Sequence, residues 1–93
     1  MPKFNVEIPH NLDEADVKAR LQRAQSKLEV EYGAKCTWAG DVMQVSRKGL
    51  DAHVKVAPGQ LVVDVSLGLL LTPMMRAIRE GITTRLTKLI TES

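Results

Sequence analysis

The stretch KCTWAGDVMQVSRKGLDAHVKVAPGQLVVDVSL, Lys35 to Leu67, decides the fold. Three dipeptides punctuate it, Gly40-Asp41, Lys48-Gly49 and Pro58-Gly59, between runs rich in Val, Leu and Thr. Two-residue hairpin turns at all three would set Trp38 opposite Met43, Met43 opposite Val54 and Val54 opposite Val63. The next row on that face is Cys36, Val45, Ala52 and Val65. Both rows are apolar. The other face reads Thr37, Gln44, His53 and Asp64, then Lys35, Ser46, Asp51 and Ser66, and both of those rows are polar. A one-residue slip at any turn would mix the faces, so the agreement through four strands argues for a meander with one wet side. Pro58-Gly59 suits this scheme least, because the pair prefers a type II turn and a slightly longer loop.

On the N-terminal side, Phe4, Val6 and Ile8 alternate with Lys3, Asn5 and Glu7, the period-2 pattern of a half-buried strand that Pro9 stops. Asn11 reads as a helix N-cap with Glu14 completing a capping box, and Asp13, Glu14 and Asp16 supply the negative charge that a helix start favours. Val17, Leu21, Ala24, Leu28 and Tyr32 form one apolar stripe, which Gly33 ends as a C-terminal cap.

On the C-terminal side, Leu67-Gly68-Leu69-Leu70-Leu71-Thr72-Pro73 reads as strand end, connector, N-cap Thr72 and Pro at the first helical position. The helix is expected to run to about Thr91. Met74, Met75, Ile78, Ile82, Leu86, Leu89 and Ile90 span roughly 160° of its circumference, a face broad enough to lie across a sheet. Gly81 sits beside that face, where either a close contact or a bend would account for it.

The expected architecture is α+β in the order β-α-β-β-β-β-α. A five-stranded antiparallel sheet carries both helices on its apolar face, as a single domain over residues 1–93. The order resembles a shortened helix-grip fold of the Bet v 1 and START-like superfamily, an analogy of fold that carries no function. Composition narrows the rest. Aromatics are 3% of the chain, and Phe4, Tyr32 and Trp38 all fall on expected core faces, so no base-stacking platform is available. A net charge of +2 with both signs interspersed is far from a dedicated nucleic-acid binder. No apolar run approaches the ~20 residues of a membrane span, and the start, Met1-Pro2-Lys3-Phe4-Asn5, has no signal-peptide core; a cytoplasmic protein is expected.

Candidate chemistry is sparse. The registers place Asp64 beside His53 with Ser46 on the diagonal, the residue types of a nucleophilic hydrolase. An open strand face, however, has no nucleophile elbow and no oxyanion donors, so a solvated face is expected. Cys36 falls on the core face and is expected to be buried and inert. His10 and His53, the only histidines, lack metal-ligand spacing, so neither metal nor cofactor is expected. Arg20, Arg23 and Lys27 share one side of the first helix and are expected to be solvated, with Asp16 and Glu31 as i,i+4 partners, rather than to meet phosphate. Arg79 and Arg85 fall inside the apolar arc of the second helix. Snorkelling at the sheet rim explains them, and the alternative is an anchor for the carboxylate of an acyl ligand in a cavity under that helix. Leu69, Leu70, Leu71, Met74 and Met75 crowd one strand-to-helix junction, either as a core corner or as a patch that docks on a partner or a hydrophobic particle.

Several segments together resemble the small bacterial proteins of the polyhydroxyalkanoic acid system family. They are Phe4-Asn5-Val6-Glu7-Ile8-Pro9-His10 with the Leu-Asp-Glu-Ala helix start, Trp38-Ala39-Gly40-Asp41, Lys48-Gly49-Leu50, Pro58-Gly59 and the terminal helix from about Leu71. The resemblance implies an accessory role in storage-polyester metabolism, with polyhydroxyalkanoate granules or their proteins as partners, and it brings no catalytic residues. The reading is of a non-enzymatic binding protein, compatible with a homodimer; the alternative is a carrier of a small acyl ligand.

Overall fold

The computed structural model describes residues 2–91. The chain runs β1 (Lys3–Pro9), α1 (Glu14–Tyr32), β2 (Lys35–Ala39), β3 (Val42–Arg47), β4 (Leu50–Ala57) and β5 (Gln60–Leu67). A 3₁₀ segment (Leu69–Met74) and α2 (Met75–Thr91) follow. The strands form one antiparallel sheet in the order β1-β5-β4-β3-β2, so the first strand closes against the last.

The hairpin registers are those that the turn dipeptides dictate. Met43 pairs with Trp38 and Val54, and Val54 with Val63. Cys36, Val45, Ala52 and Val65 share the next row, and β1 extends both rows with Val6 and Phe4. Pro58-Gly59 closes a two-residue turn after all, with Ala57 paired to Gln60. Its glycine takes φ +78° and Gly49 takes φ +84°, the second-position geometry that a Pro or Lys before glycine allows.

Val6, Ile8, Met43, Val54, Val56, Leu61, Val63, Val65 and Leu67 point from the sheet into the core, where α1 adds Val17 and Leu21 and α2 adds Ile90. Burying one such side chain contributes about 1.5–3 kcal/mol, so this layer is the main source of stability.

Three local expectations need correction. Asn11 is not the cap of α1: Asp13 is, in extended conformation and without a side-chain cap bond, because the helix begins only at Glu14. Thr72 does not cap α2 either. Leu69–Met74 winds as a 3₁₀ turn containing Pro73, and the Thr72 hydroxyl donates back to the Gly68 carbonyl at 3.2 Å. The three aromatics are not fully enclosed: Phe4 and Trp38 lie on the core face and pack against the core but are half-buried because they sit on the two edge strands, and Tyr32 is half-buried at the end of α1. Trp38 is held by its ring N–H, which donates to Gln25 Oε1 at 3.0 Å, with Lys18 Nζ 5.3 Å from the ring centroid. As for Gly81, a Cβ added there would meet nothing within 4 Å, so no close contact requires it.

Candidate functional site

The strand-to-helix junction after β5 is built on the β3–β4 turn. Gly68 N–H donates to the Gly49 carbonyl at 2.8 Å, and Leu71 N–H donates to the Gly68 carbonyl at 3.1 Å. A Cβ on Gly49 would come within 3.2 Å of Leu71 Cδ1, so Leu71 lies directly on this turn. Pinned in this way, the 3₁₀ turn divides its apolar residues. Leu71 and Met75 turn inward and pack against the core, whereas Leu69 and Leu70 are 86% and 88% exposed and Met74 is 53% exposed. An aliphatic pair left almost wholly in water on a turn fixed by backbone bonds is the most pronounced apolar projection among the described residues. Val30 on α1 is the other large apolar side chain left exposed among the described residues.

The remaining candidates are dispersed. On the open sheet face, Ser46 Oγ donates to Asp51 Oδ1 at 2.9 Å and Asp64 Oδ1 accepts from Asn5 Nδ2 at 2.7 Å, so neither residue is committed to His53. All three are exposed; Asp64 stands opposite His53 in the β4–β5 register, and these two, without Ser46, help to line a shallow depression of about 460 Å³ with Asp51 and Ser66. Cys36 is buried, and burial first, then the Glu29 carboxylate, push its thiol pKa up, away from nucleophilic character. His10 is buried too. Its Nδ1 accepts the Leu12 N–H at 3.2 Å, while Nε2 has no hydrogen-bond partner. Among the described residues no group of three His, Cys, Asp or Glu is placed to hold a metal ion.

The cations separate as well. Arg20 bonds to Asp16 and to the Leu89 carbonyl, while Arg23 and Lys27 are exposed. Arg79 is exposed and lines a surface depression of about 380 Å³ with Arg76, Glu80, Thr83 and Thr84. Arg85 is exposed and holds its guanidinium 5.0 Å from the Tyr32 ring centroid, at the seam between α2 and α1. No helix among the described residues is long and apolar enough to cross a membrane.

The fold and this junction define a small, helix-backed, single-sided sheet protein that presents an apolar turn. Over residues 4–90 the chain matches the family described as "putative polyhydroxyalkanoic acid system protein", and it belongs to that family. The family name links it to polyhydroxyalkanoate metabolism. No curated protein and no solved structure matches it.

Sequence reasoning brought Leu69 and Leu70 forward together with Leu71 and Met75. The Gly68–Gly49 bond continues the β4–β5 register, but the outward pair separates from the inward pair only through the 3₁₀ winding of Leu69–Met74, which residue type alone does not distinguish from the first turn of an α-helix.

Proposed function

We propose that this chain is a non-enzymatic accessory protein of storage-polyester metabolism that docks on the apolar surface of the polyhydroxyalkanoate granule. Leu69, Leu70 and Met74 are the inserting residues. The observation that carries this reading is the near-complete exposure of Leu69 and Leu70 on a pinned 3₁₀ turn. Transfer of those side chains from water to an aliphatic polyester surface supplies a driving force, and the polymer needs no specific hydrogen-bonding partner. The family assignment supplies the kind of surface.

The test is co-sedimentation with protein-free polyhydroxybutyrate particles. Leu69→Asp/Leu70→Asp should weaken binding by roughly a hundredfold, from the loss of two buried aliphatic side chains. Val30→Asp, which changes an equally exposed side chain on α1, should leave binding intact. Equal loss in both variants, or binding that requires the granule's protein coat, would overturn the assignment.

A further inference from the structure

The two edges of the sheet are finished differently. On β2, whose outer neighbour is solvent, Gln25 Nε2 from α1 donates to the Cys36 carbonyl at 3.4 Å and so covers part of the edge. On β1 the ladder is fixed by Leu67 N–H donating to the Pro2 carbonyl and His10 N–H donating to the Gly59 carbonyl, both at 2.9 Å. In an antiparallel pair the hydrogen-bonded residues alternate, so Phe4, Val6 and Ile8 bond to β5. The amides and carbonyls of Lys3, Asn5 and Glu7 point away from the sheet. Among the described residues no hydrogen bond reaches those outward groups. Pro2 and Pro9 bracket this window and restrict pairing to it.

We propose that β1 pairs with β1 of a second copy of this chain, antiparallel and centred on Asn5, to make one sheet running through both molecules. The side chains of this window are self-complementary in that register. Asn5 faces Asn5 of the second copy, Lys3 faces Glu7 and Glu7 faces Lys3, as a two-fold interface demands. Lys3 and Glu7 are exposed, and neither has an ion-pair partner among the described residues. A two-residue shift in one direction sets Lys3 against Asn5 and carries Glu7 past Lys3, so neither charge meets its opposite. A shift in the other sets Asn5 against Glu7 and Lys3 against Pro9, which has no N–H to give. Only the register centred on Asn5 uses all three outward residues and matches every charge. It also sets Phe4 opposite Val6 of the second copy on the core side, continuing the apolar row that in one molecule stops at the half-exposed Phe4. Lys on an edge strand ordinarily discourages pairing, and here its effect is reversed by the Glu four residues on. This pairing is independent of granule docking, which uses the junction after β5.

Sedimentation velocity across a concentration series up to about 1 mM tests it, since an edge pairing lies at the weak end of interfaces. Wild-type protein should dimerise. Lys3→Glu and Glu7→Lys should each weaken the dimer by roughly tenfold or more, because each creates two like-charge pairs, and the Lys3→Glu/Glu7→Lys double variant should restore it. In the dimer the amides of Lys3, Asn5 and Glu7 should gain hydrogen-exchange protection, while those of Phe4, Val6 and Ile8 are protected at every concentration. Monomer throughout the series, or a dimer indifferent to both reversals, overturns the proposal.

Discussion

Arg20 Nη1 donates to the main-chain carbonyl of Leu89 at 2.9 Å, tying α1 to the last turn of α2. Its Nε meets Asp16 Oδ1 at 3.2 Å, and the side chain is only 15% exposed. The Leu89 carbonyl lies near the end of α2, where helical carbonyls run out of partners within the helix, so this cation is both a hydrogen-bond donor and a favourable charge for the dipole. The same region holds Ile90, the buried residue of α2.

Replacing Arg20 with Met keeps an apolar stem and removes the donors. The expected loss is about 1–3 kcal/mol of unfolding free energy in urea, the range for a hydrogen bond involving a charged group. Lys at this position should recover only part, since one ammonium does not reproduce the separate directions in which the guanidinium meets Asp16 and the Leu89 carbonyl. A full recovery by Lys would show that charge alone matters at this site.

Gly81 offers the opposite sign. It lies inside α2 with a helical backbone, and a methyl group there would meet nothing within 4 Å. Gly81→Ala should therefore stabilise the protein by about 0.5–1 kcal/mol, through helix propensity and the smaller entropy of the unfolded chain. Thermal unfolding checks it, and a lowered midpoint would mean that the helix needs local freedom at this point.

How far the sequence was legible follows from the range of the interactions involved. The meander could be read pair by pair because each register depends only on a turn dipeptide and on alternation within a few residues, as Met43 between Trp38 and Val54 illustrates. The start of α1 was harder, since Asn11 and Asp13 are both competent caps and only backbone geometry chooses Asp13. Thr72-Pro73 fits the first turn of an α-helix and a 3₁₀ turn equally well at the level of residue type. The Arg20–Leu89 bond, sixty-nine residues apart in the chain, depends on how distant elements meet, and the outward turn of Leu69 and Leu70 depends on the 3₁₀ winding after Gly68, which residue type does not encode.

Cys36 should make stability depend on alkaline pH. Its thiol pKa is raised in the folded protein by burial and by Glu29, so the native state holds this proton more tightly than the unfolded state does. That contribution is fully present below the unfolded thiol value of about 8.5 and is lost as pH rises through the higher folded value. Urea unfolding of wild type and Cys36→Ala across this window should show a decline in the wild type that the variant lacks. Parallel curves would assign the alkaline loss to other groups.

Gly49 and Gly59 together separate backbone strain from the contact that aims the apolar turn. Both close two-residue hairpin turns, with φ of +84° and +78°. A Cβ on Gly59 would enter open space, whereas one on Gly49 would come within 3.2 Å of Leu71 Cδ1. Gly59→Ala should cost about 1 kcal/mol, the penalty of a left-handed conformation for an L-residue. Gly49→Ala carries the same backbone penalty, and in addition Leu71, packed against the core, has to give way, so its cost should exceed that of Gly59→Ala. Because Leu71 is the inward anchor of the 3₁₀ turn, its displacement should also redirect Leu69 and Leu70 and lower particle binding by Gly49→Ala relative to Gly59→Ala. Denaturant midpoints measure the first difference and co-sedimentation the second. Equal costs would show that the turn tolerates the methyl group and that Leu71 does not rest on Gly49. Unequal costs with equal binding would show that Leu69 and Leu70 are aimed by the Gly68 backbone bonds alone.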